Sequence, residues 1–369
     1  MTWRKHLTFA LSLGLALGGG CIRPAEERAD RDLDVGKASG HGLDVDVDSG
    51  LAAVRELGAD TLRLWSSAPA WEMSVTTRAG AAKDWSISLE NVIADATLRA
   101  VAGDTSLTVT QIESPLPTRK TYRVTLPAGT KTRFTLAPPD RNDTSPWRFA
   151  LMSDVQEAIV DVNDIYRRMN EVHGLRFLLG AGDLTQQGQE DELSRFRDEL
   201  AALDIPYYTT LGNHELGDSG PAYQDWYGRA NSHFVYRGVH FSLLDSASAT
   251  IDPIVYDWLD GWLASGRDHV HIVAMHIPPI DPVGVRNGSF SSRNEAAKLL
   301  TRLAEGRVDL TLYGHIHSYY SFDNAGIPAY ISGGGGAIPE RFDQIGRHFL
   351  VIDVDPKSGV KSVETVRVD

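Results

Sequence analysis

The chain has 369 residues, 36 Lys+Arg against 49 Asp+Glu for a net charge of −13, one cysteine, and 42% hydrophobic residues. Wholesale disorder, collagen and coiled coil are excluded, and there is enough apolar surface for roughly two domains. The anionic surplus lacks the clustered cations that hold a nucleic-acid backbone, and a lone cysteine cannot form an internal disulfide.

Arg4 and Lys5 precede an apolar stretch from Leu7 to Leu17, then Gly18, Gly19 and Gly20, then Cys21. This reads as a signal peptide over residues 1–20, too short to span a bilayer. It resembles a bacterial lipoprotein signal, in which the cysteine becomes the lipidated first residue, although Gly18 stands where a branched apolar residue is usual. A plain secretory signal is the alternative. The resemblance implies export and anchoring to a bacterial membrane, in the periplasm or at the cell surface, through a lipid on Cys21. Residues 21–42 lack Phe, Trp and Tyr and mix Glu26, Glu27, Arg28, Asp30, Arg31, Asp32 and Asp34 with three glycines. They are predicted to be a flexible, solvated tether. Asp44, Asp46 and Asp48 do not make an EF-hand loop, because Gly50 falls one position late and Arg55 stands where the closing Glu belongs.

Over 43–138 the pattern has period two: Trp85, Ile87, Leu89, then Tyr122, Val124, Leu126, then Phe134 and Leu136. With turn signals such as Ala102-Gly103-Asp104 and Pro127-Ala128-Gly129, this predicts a small all-β sandwich as an accessory domain. Residues 139–146 read as a linker. From 147 to 369, short apolar runs (Arg148–Ser153, Leu175–Ala181, Pro206–Leu211, His269–Met275, Asp309–Tyr313) alternate with helical spacing such as Ile165, Met169, Val172 and Leu193, Phe196, Leu200. An α/β layered domain with helices on both faces of a sheet is predicted.

In open α/β sheets ligands gather outside the carboxyl ends of strands. Polar residues cluster there: Asp154-Val155-Gln156, Gly182-Asp183, Gly212-Asn213-His214-Glu215, His276 and Gly314-His315-Ile316-His317. Packed carboxylates repel and imidazoles need acceptors, a conflict that a pair of divalent cations relieves. This ordered set resembles the calcineurin-like metallophosphoesterases over about residues 147–354. The resemblance implies a sheet sandwich flanked by helices and two divalent metal ions. Asp183 would bridge them, Asp154 and His317 would hold the first, and Asn213, His276 and His315 the second. His214, unligated, would face the substrate as catalytic acid. Gln156 stands where the family usually has His, so the first metal gains an amide oxygen or loses a ligand. That favours manganese, with iron, zinc or magnesium as alternatives. Gln186 stands where some members carry an Asp that orients the catalytic His.

The reaction so implied is hydrolysis of phosphate esters by a hydroxide that two metals generate from water. A monoesterase for small phosphorylated substrates suits the acidic chain. A phosphodiesterase for cyclic nucleotides or lipid headgroups and a catalytically weak binding lipoprotein remain as alternatives. Arg286 and Arg293, in a polar loop after His276, are candidate substrate-phosphate contacts against a solvated-surface alternative. Gly333 to Gly336 would let backbone amides approach a phosphate, or form a tight loop. His269 and His271 are read as structural. The oligomeric state is not legible.

Overall fold

The computed structural model describes residues 24–78, 84–217, 222–284, 288–340 and 344–369. Helix α1 (Pro24–Asp32) leads into β1 (Lys37–Gly40), β2 (Leu43–Val47), β3 (Ala52–Leu57), β4 (Thr61–Ser66), β5 (Trp71–Thr77), β6 (Asp84–Glu90), β7 (Thr97–Ala102), β8 (Thr105–Leu107), β9 (Val109–Leu116), β10 (Arg119–Thr125) and β11 (Lys131–Ala137). These strands form two sheets, ordered β1-β2-β5-β11-β7-β8 and β3-β4-β6-β10-β9. Trp85, Ile87, Leu89, Tyr122, Val124, Phe134 and Leu136 are buried, as their alternation requires when one face of each strand packs inward.

The remainder alternates strands and helices: β12 (Trp147–Met152), α2 (Asn163–Asn170), β13 (Leu175–Ala181), α3 (Glu190–Glu199), β14 (Tyr207–Thr210), α4 (Tyr223–Tyr227), β15 (Ser232–Tyr236), β16 (Val239–Leu244), α5 (Pro253–Gly266), β17 (Val270–Met275), α6 (Arg293–Glu305), β18 (Leu310–Tyr313), β19 (Tyr319–Asn324), β20 (Ile327–Ser332), β21 (His348–Asp355) and β22 (Gly359–Arg367). There are two sheets here, as the family resemblance implied and periodicity alone did not: β14-β13-β12-β21-β22 and β15-β16-β17-β18-β20-β19. Successive residues of a strand serve opposite layers. Phe149 and Leu151 face the other sheet, while Ala150 and Met152 pack with Ile165, Tyr166 and Phe196 of α2 and α3. Val273, Met275 and Tyr313 of the second sheet pack with Leu259 of α5 and Leu299 of α6. Both faces of each sheet are thus covered, which is why the strands read as unbroken apolar runs. Between the sheets Phe149, Phe177, Phe234 and Phe241 meet at centroid distances of 5.1–5.5 Å along the chain of contacts Phe149–Phe177, Phe177–Phe241 and Phe241–Phe234.

The expected tether is corrected from Pro24 onward. Residues 24–32 are helical, and the sheet expected to start at 43 already includes β1. Ala25, Arg28, Ala29 and Asp32 recur at helical spacing and are all buried. The stretch looks solvated because its buried face carries only small alanines and two charges, and those charges find partners far along the chain. Cys21 and the leader lie outside the described residues.

At the end of the second sheet remote from the strand exits, His233, His240, His269 and His271 stack edge to face and face to face, with His233 Nε2 3.1 Å from His240 Nδ1. Burial, reinforced by the neighbouring imidazoles, lowers His233 and His240 to about 4 and His271 to about 3. An unfolded histidine titrates near about 6.5, so between that pH and the folded values the unfolded chain binds more protons. Stability from these rings is therefore complete above about 6.5 and is lost as pH falls below it. The urea midpoint is expected to drop between pH 7 and pH 5, and His271→Gln to shrink that drop; identical drops in both proteins would assign the acid sensitivity elsewhere.

Candidate metal centre

The exits of β12, β13, β14, β17 and β18 meet on one rim between the two sheets. Immediately after its strand the chain turns sharply at Asp154 (φ 63°), Gln156 (φ 48°), Asp183 (φ 54°) and His315 (φ 70°). Non-glycine residues in this left-handed region cost of order 1–3 kcal/mol each, and such strain concentrates at functional sites. Two glycines permit the crowding. A Cβ on Gly212 would strike the Asp183 carboxylate, and one on Gly314 would meet the Ser153 hydroxyl and Asp154 Oδ2.

Two sets of donors result, sharing one carboxylate. Asp183, His276 and His315 each offer an atom within 4.8 Å of the others, and so do Asp154, Asp183 and His317. Asp183 Oδ2 lies 3.1 Å from His276 Nε2, and His317 Nε2 lies 3.5 Å from Asp154 Oδ1. Asn213 Oδ1 is 3.0 Å from His276 Nε2, on the His276 side. The imidazoles are aimed from behind: His276 Nδ1–H donates to the Ala181 carbonyl and His317 Nδ1–H to that of Ile338, each at 2.7 Å. A carbonyl only accepts, so in the neutral rings both Nε2 atoms carry the lone pair that faces the centre. Asp154 is held by the His315 amide at 3.0 and 3.1 Å and by the Ser153 hydroxyl.

Electrostatics of the cluster ask for positive charge. Burial raises the Asp154 carboxyl. Burial also opposes charge on Asp183, but the His276 imidazole, in contact with it, holds that carboxyl well below the usual range. Burial lowers His276, yet Asp183 overrides this and carries it up to about 9. Two buried carboxylates and three imidazoles thus hold a proton where a cation would serve the same balance, and the mixed oxygen and nitrogen donors suit first-row divalent ions. The residues fit a pair of divalent metals.

Other expected residues divide. His214 is beside the centre, its amide donating to Asp183 Oδ1 at 3.0 Å and its Nε2 3.9 Å from Asp183 Oδ2. Its Nδ1–H donates to the backbone carbonyl of Gln186 at 2.7 Å, so the main chain and not the Gln186 side chain orients the ring. Gln156 faces the centre through its amide nitrogen, which donates to Asp183 Oδ2 at 2.8 Å. In this orientation it is a hydrogen-bond donor, not a ligand, because the uncompensated carboxylate attracts N–H; a half-turn of the amide would present the oxygen. Arg293 is exposed at the first position of α6, and among the described residues no contact brings it to the centre. Arg286 lies outside the described residues. In the glycine run the Gly333 and Gly335 amides donate to the Ser318 and Ser153 carbonyls, so these two support the rim as a tight loop and do not face a phosphate.

Glu215 is the residue that sequence reasoning left without a role. Fully buried, its carboxylate accepts from the amides of Asp183 (2.9 Å), Thr185 (2.9 Å) and Gly212 (2.8 Å) and from the Thr185 hydroxyl, tying together two of the loops that carry ligands. Burial and the nearby Asp183 push it up to about 7, against the pull of those donors. The Gly212 amide bonded to the acid three residues on is one half of a capping box; glycine has no side chain to supply the other half, so the linear chain carries no complete signature for Glu215.

The model of the Calcineurin-like phosphoesterase family matches residues 148–319. A 3',5'-cyclic-nucleotide phosphodiesterase of Nostoc sp. is 24% identical over 167 residues, 42% of this chain and 61% of the relative, so the match spans about three-fifths of that protein's length. Among solved structures, a purple acid phosphatase from yellow lupin (Lupinus luteus) seeds superposes with a TM-score of 0.53 at 15% identity, covering 81% of this chain and 70% of that one, which is a likeness of fold. The strand exits and the ligand loops from Asp154 to His317 fall within the matched span, so the residues of the centre lie in the segment of the chain that is similar to the Calcineurin-like phosphoesterase family.

Proposed function

We propose that the protein hydrolyses phosphate esters with two divalent metal ions. The observation that carries this reading is the pair of donor sets joined through Asp183. When bound, two such ions supply charge neutralisation at phosphoryl oxygens and acidify water. Asp154, His317 and Asp183 would hold one ion; Asp183, Asn213, His276 and His315 the other. The poorer nitrogen supply on the Asp154 side, where Gln156 replaces an imidazole, favours manganese or magnesium there.

The chain's own part in the chemistry falls to His214. Its Nδ1 keeps a proton because it is bonded to a carbonyl, so Nε2 is the atom that takes up and releases one. From the edge of the centre, Nε2–H donates its proton to the alkoxide oxygen as the P–O bond to the leaving group breaks and the water oxygen bonds to phosphorus. The ring is part-exposed, at 28%, so it can reload from solvent.

A small monoester is the first substrate choice, supported by the net charge of −13, which disfavours polyanions. A phosphodiester is the second, favoured by the cyclic-nucleotide activity named for the Nostoc relative. The basic, apolar and glycine sequence ahead of Cys21 supports export and a lipid anchor on that cysteine. The accessory β unit before residue 139 would be a rigid companion of the catalytic domain, as Asn91 pairs with both backbone groups of Tyr207 at 2.7 and 2.8 Å.

Asp183→Asn is expected to abolish uptake of both ions, whereas His214→Ala keeps them and loses about 10²–10⁴-fold in kcat; metal analysis beside turnover of a nitrophenyl ester separates the two. Gln156→His is expected to tighten the weaker ion roughly tenfold in a chelator competition, and no change would place that side chain outside the coordination shell. Nitrophenyl phosphate is expected to be cleaved with higher kcat/KM than its bis-ester; the reverse order would select the diesterase reading.

A further inference from the structure

The first helix does more than cover the domain. Arg28 and Asp32, one turn apart on the buried face of α1, each grip a segment that runs into the metal centre. The Arg28 guanidinium, 2% exposed, donates to both oxygens of Asp245, at 2.6 and 3.1 Å, and to the Ser248 hydroxyl at 3.1 Å. Asp245 is the first residue beyond β16, and its neighbour Ser246 accepts the amide of Ile277 on its hydroxyl oxygen at 2.7 Å. Ile277 directly follows His276. Because β16 and β17 run parallel with Leu244 opposite Met275, this bond ties the two strand exits side by side at the point where His276 leaves the sheet. At the other end of the turn, Asp32 accepts from the amides of Ala230 and Asn231, both at 2.8 Å. The Ala230 carbonyl in turn lies 2.8 Å from the hydroxyl of Thr210, the last residue of β14 before the loop of Asn213 and His214. Asn231 Oδ1 accepts the Asp245 amide at 2.8 Å, closing the network.

We propose that Arg28 is a positioning residue for the metal centre, acting through Asp245 and Ser246 on the backbone beside His276, so that the segment next to the cysteine braces one of the two ion sites. The contacts are one-sided. Arg28 and Asp32 reach the exits of β14 and β16, which lead to Asn213 and neighbour His276, whereas Asp154 and His317 are held by Ser153, the His315 amide and the Ile338 carbonyl. A buried arginine fork on a buried carboxylate has one good geometry, so it sets the position of the strand exit and not merely its stability. This inference rests on the two-ion reading above.

The test is an ion count on the full chain loaded with manganese and dialysed against graded chelator, for wild type, Arg28→Gln, Arg28→Lys and Ser246→Ala. In Arg28→Gln and Ser246→Ala one ion is expected to leave at about tenfold lower chelator concentration while the other is held as in wild type; Arg28→Lys recovers part of the difference. A general loss of structure would release both ions together. Both ions held with wild-type affinity in folded Arg28→Gln, or both lost in parallel, overturns the proposal. Should Arg28→Gln not fold, Ser246→Ala, which leaves α1 and its ion pair untouched, decides by the same criterion. A wild-type chain that takes up ions yet cleaves no ester would end the proposed activity and leave the brace to be judged by the ion count. A wild-type chain that takes up none ends both.

Discussion

The arrangement depends on one carboxylate. Asp183 lies at the end of a central strand with almost no exposure, where a charge is tolerated only if surrounded by donors. It receives the His214 amide, the Gln156 amide nitrogen and His276 Nε2, and its own backbone amide is taken by Glu215. His276, which would serve a cation, also steadies this oxygen pair. The folded chain therefore carries an anionic centre whose balance is completed by protons or by metal, and that competition is the physical basis of the chemistry assigned to it.

Two features make such a centre affordable in stability. The sheets around it are covered on both faces, so the exits of five strands are fixed by a large apolar interior rather than by the polar residues themselves. The left-handed turns at Asp154, Gln156, Asp183 and His315 are then held by bonds between loops, such as Gly335 N–H to the Ser153 carbonyl and Ala337 N–H to that of Asp154. Remote packing offsets local strain, which is the usual relation between a scaffold and its site.

The units outside this domain are joined to it by polar contacts of high specificity. Glu90 takes a bidentate Arg197 at 2.7 and 2.8 Å, Asn91 substitutes for a strand partner of Tyr207, and α1 enters through Arg28 and Asp32. Buried ion pairs of this kind add little net stability over apolar packing, but removing one partner leaves an unpaired charge at a cost of about 3–5 kcal/mol. They define one relative placement of the parts more than they strengthen it.

Periodicity and strand-end chemistry were legible in the residues because both are local: a strand covered on two faces must be apolar throughout, and an Asp, Asn or His directly after it has nowhere to go but the rim. The donor sequence from Asp154 to His317 could thus be read as one centre, and the alternation of Trp85, Ile87 and Leu89 as half-buried strands. What the linear chain did not disclose were matters of partnership. Arg28 and Asp32 look like solvent charges until Asp245 and Asn231, some two hundred residues on, are seen beside them; periodicity alone did not divide the strands between two sheets, a division the family resemblance implied and the meeting of aromatic faces fixes. The orienting group for His214 is a main-chain carbonyl, which every residue possesses and no side-chain pattern can mark. Sequence determined which groups arrive at the strand ends, since that follows from a period of two and a few turns. Tertiary structure alone decided which of them touch, because a hydrogen bond acts over about 3 Å and only the folded packing brings distant segments within that reach.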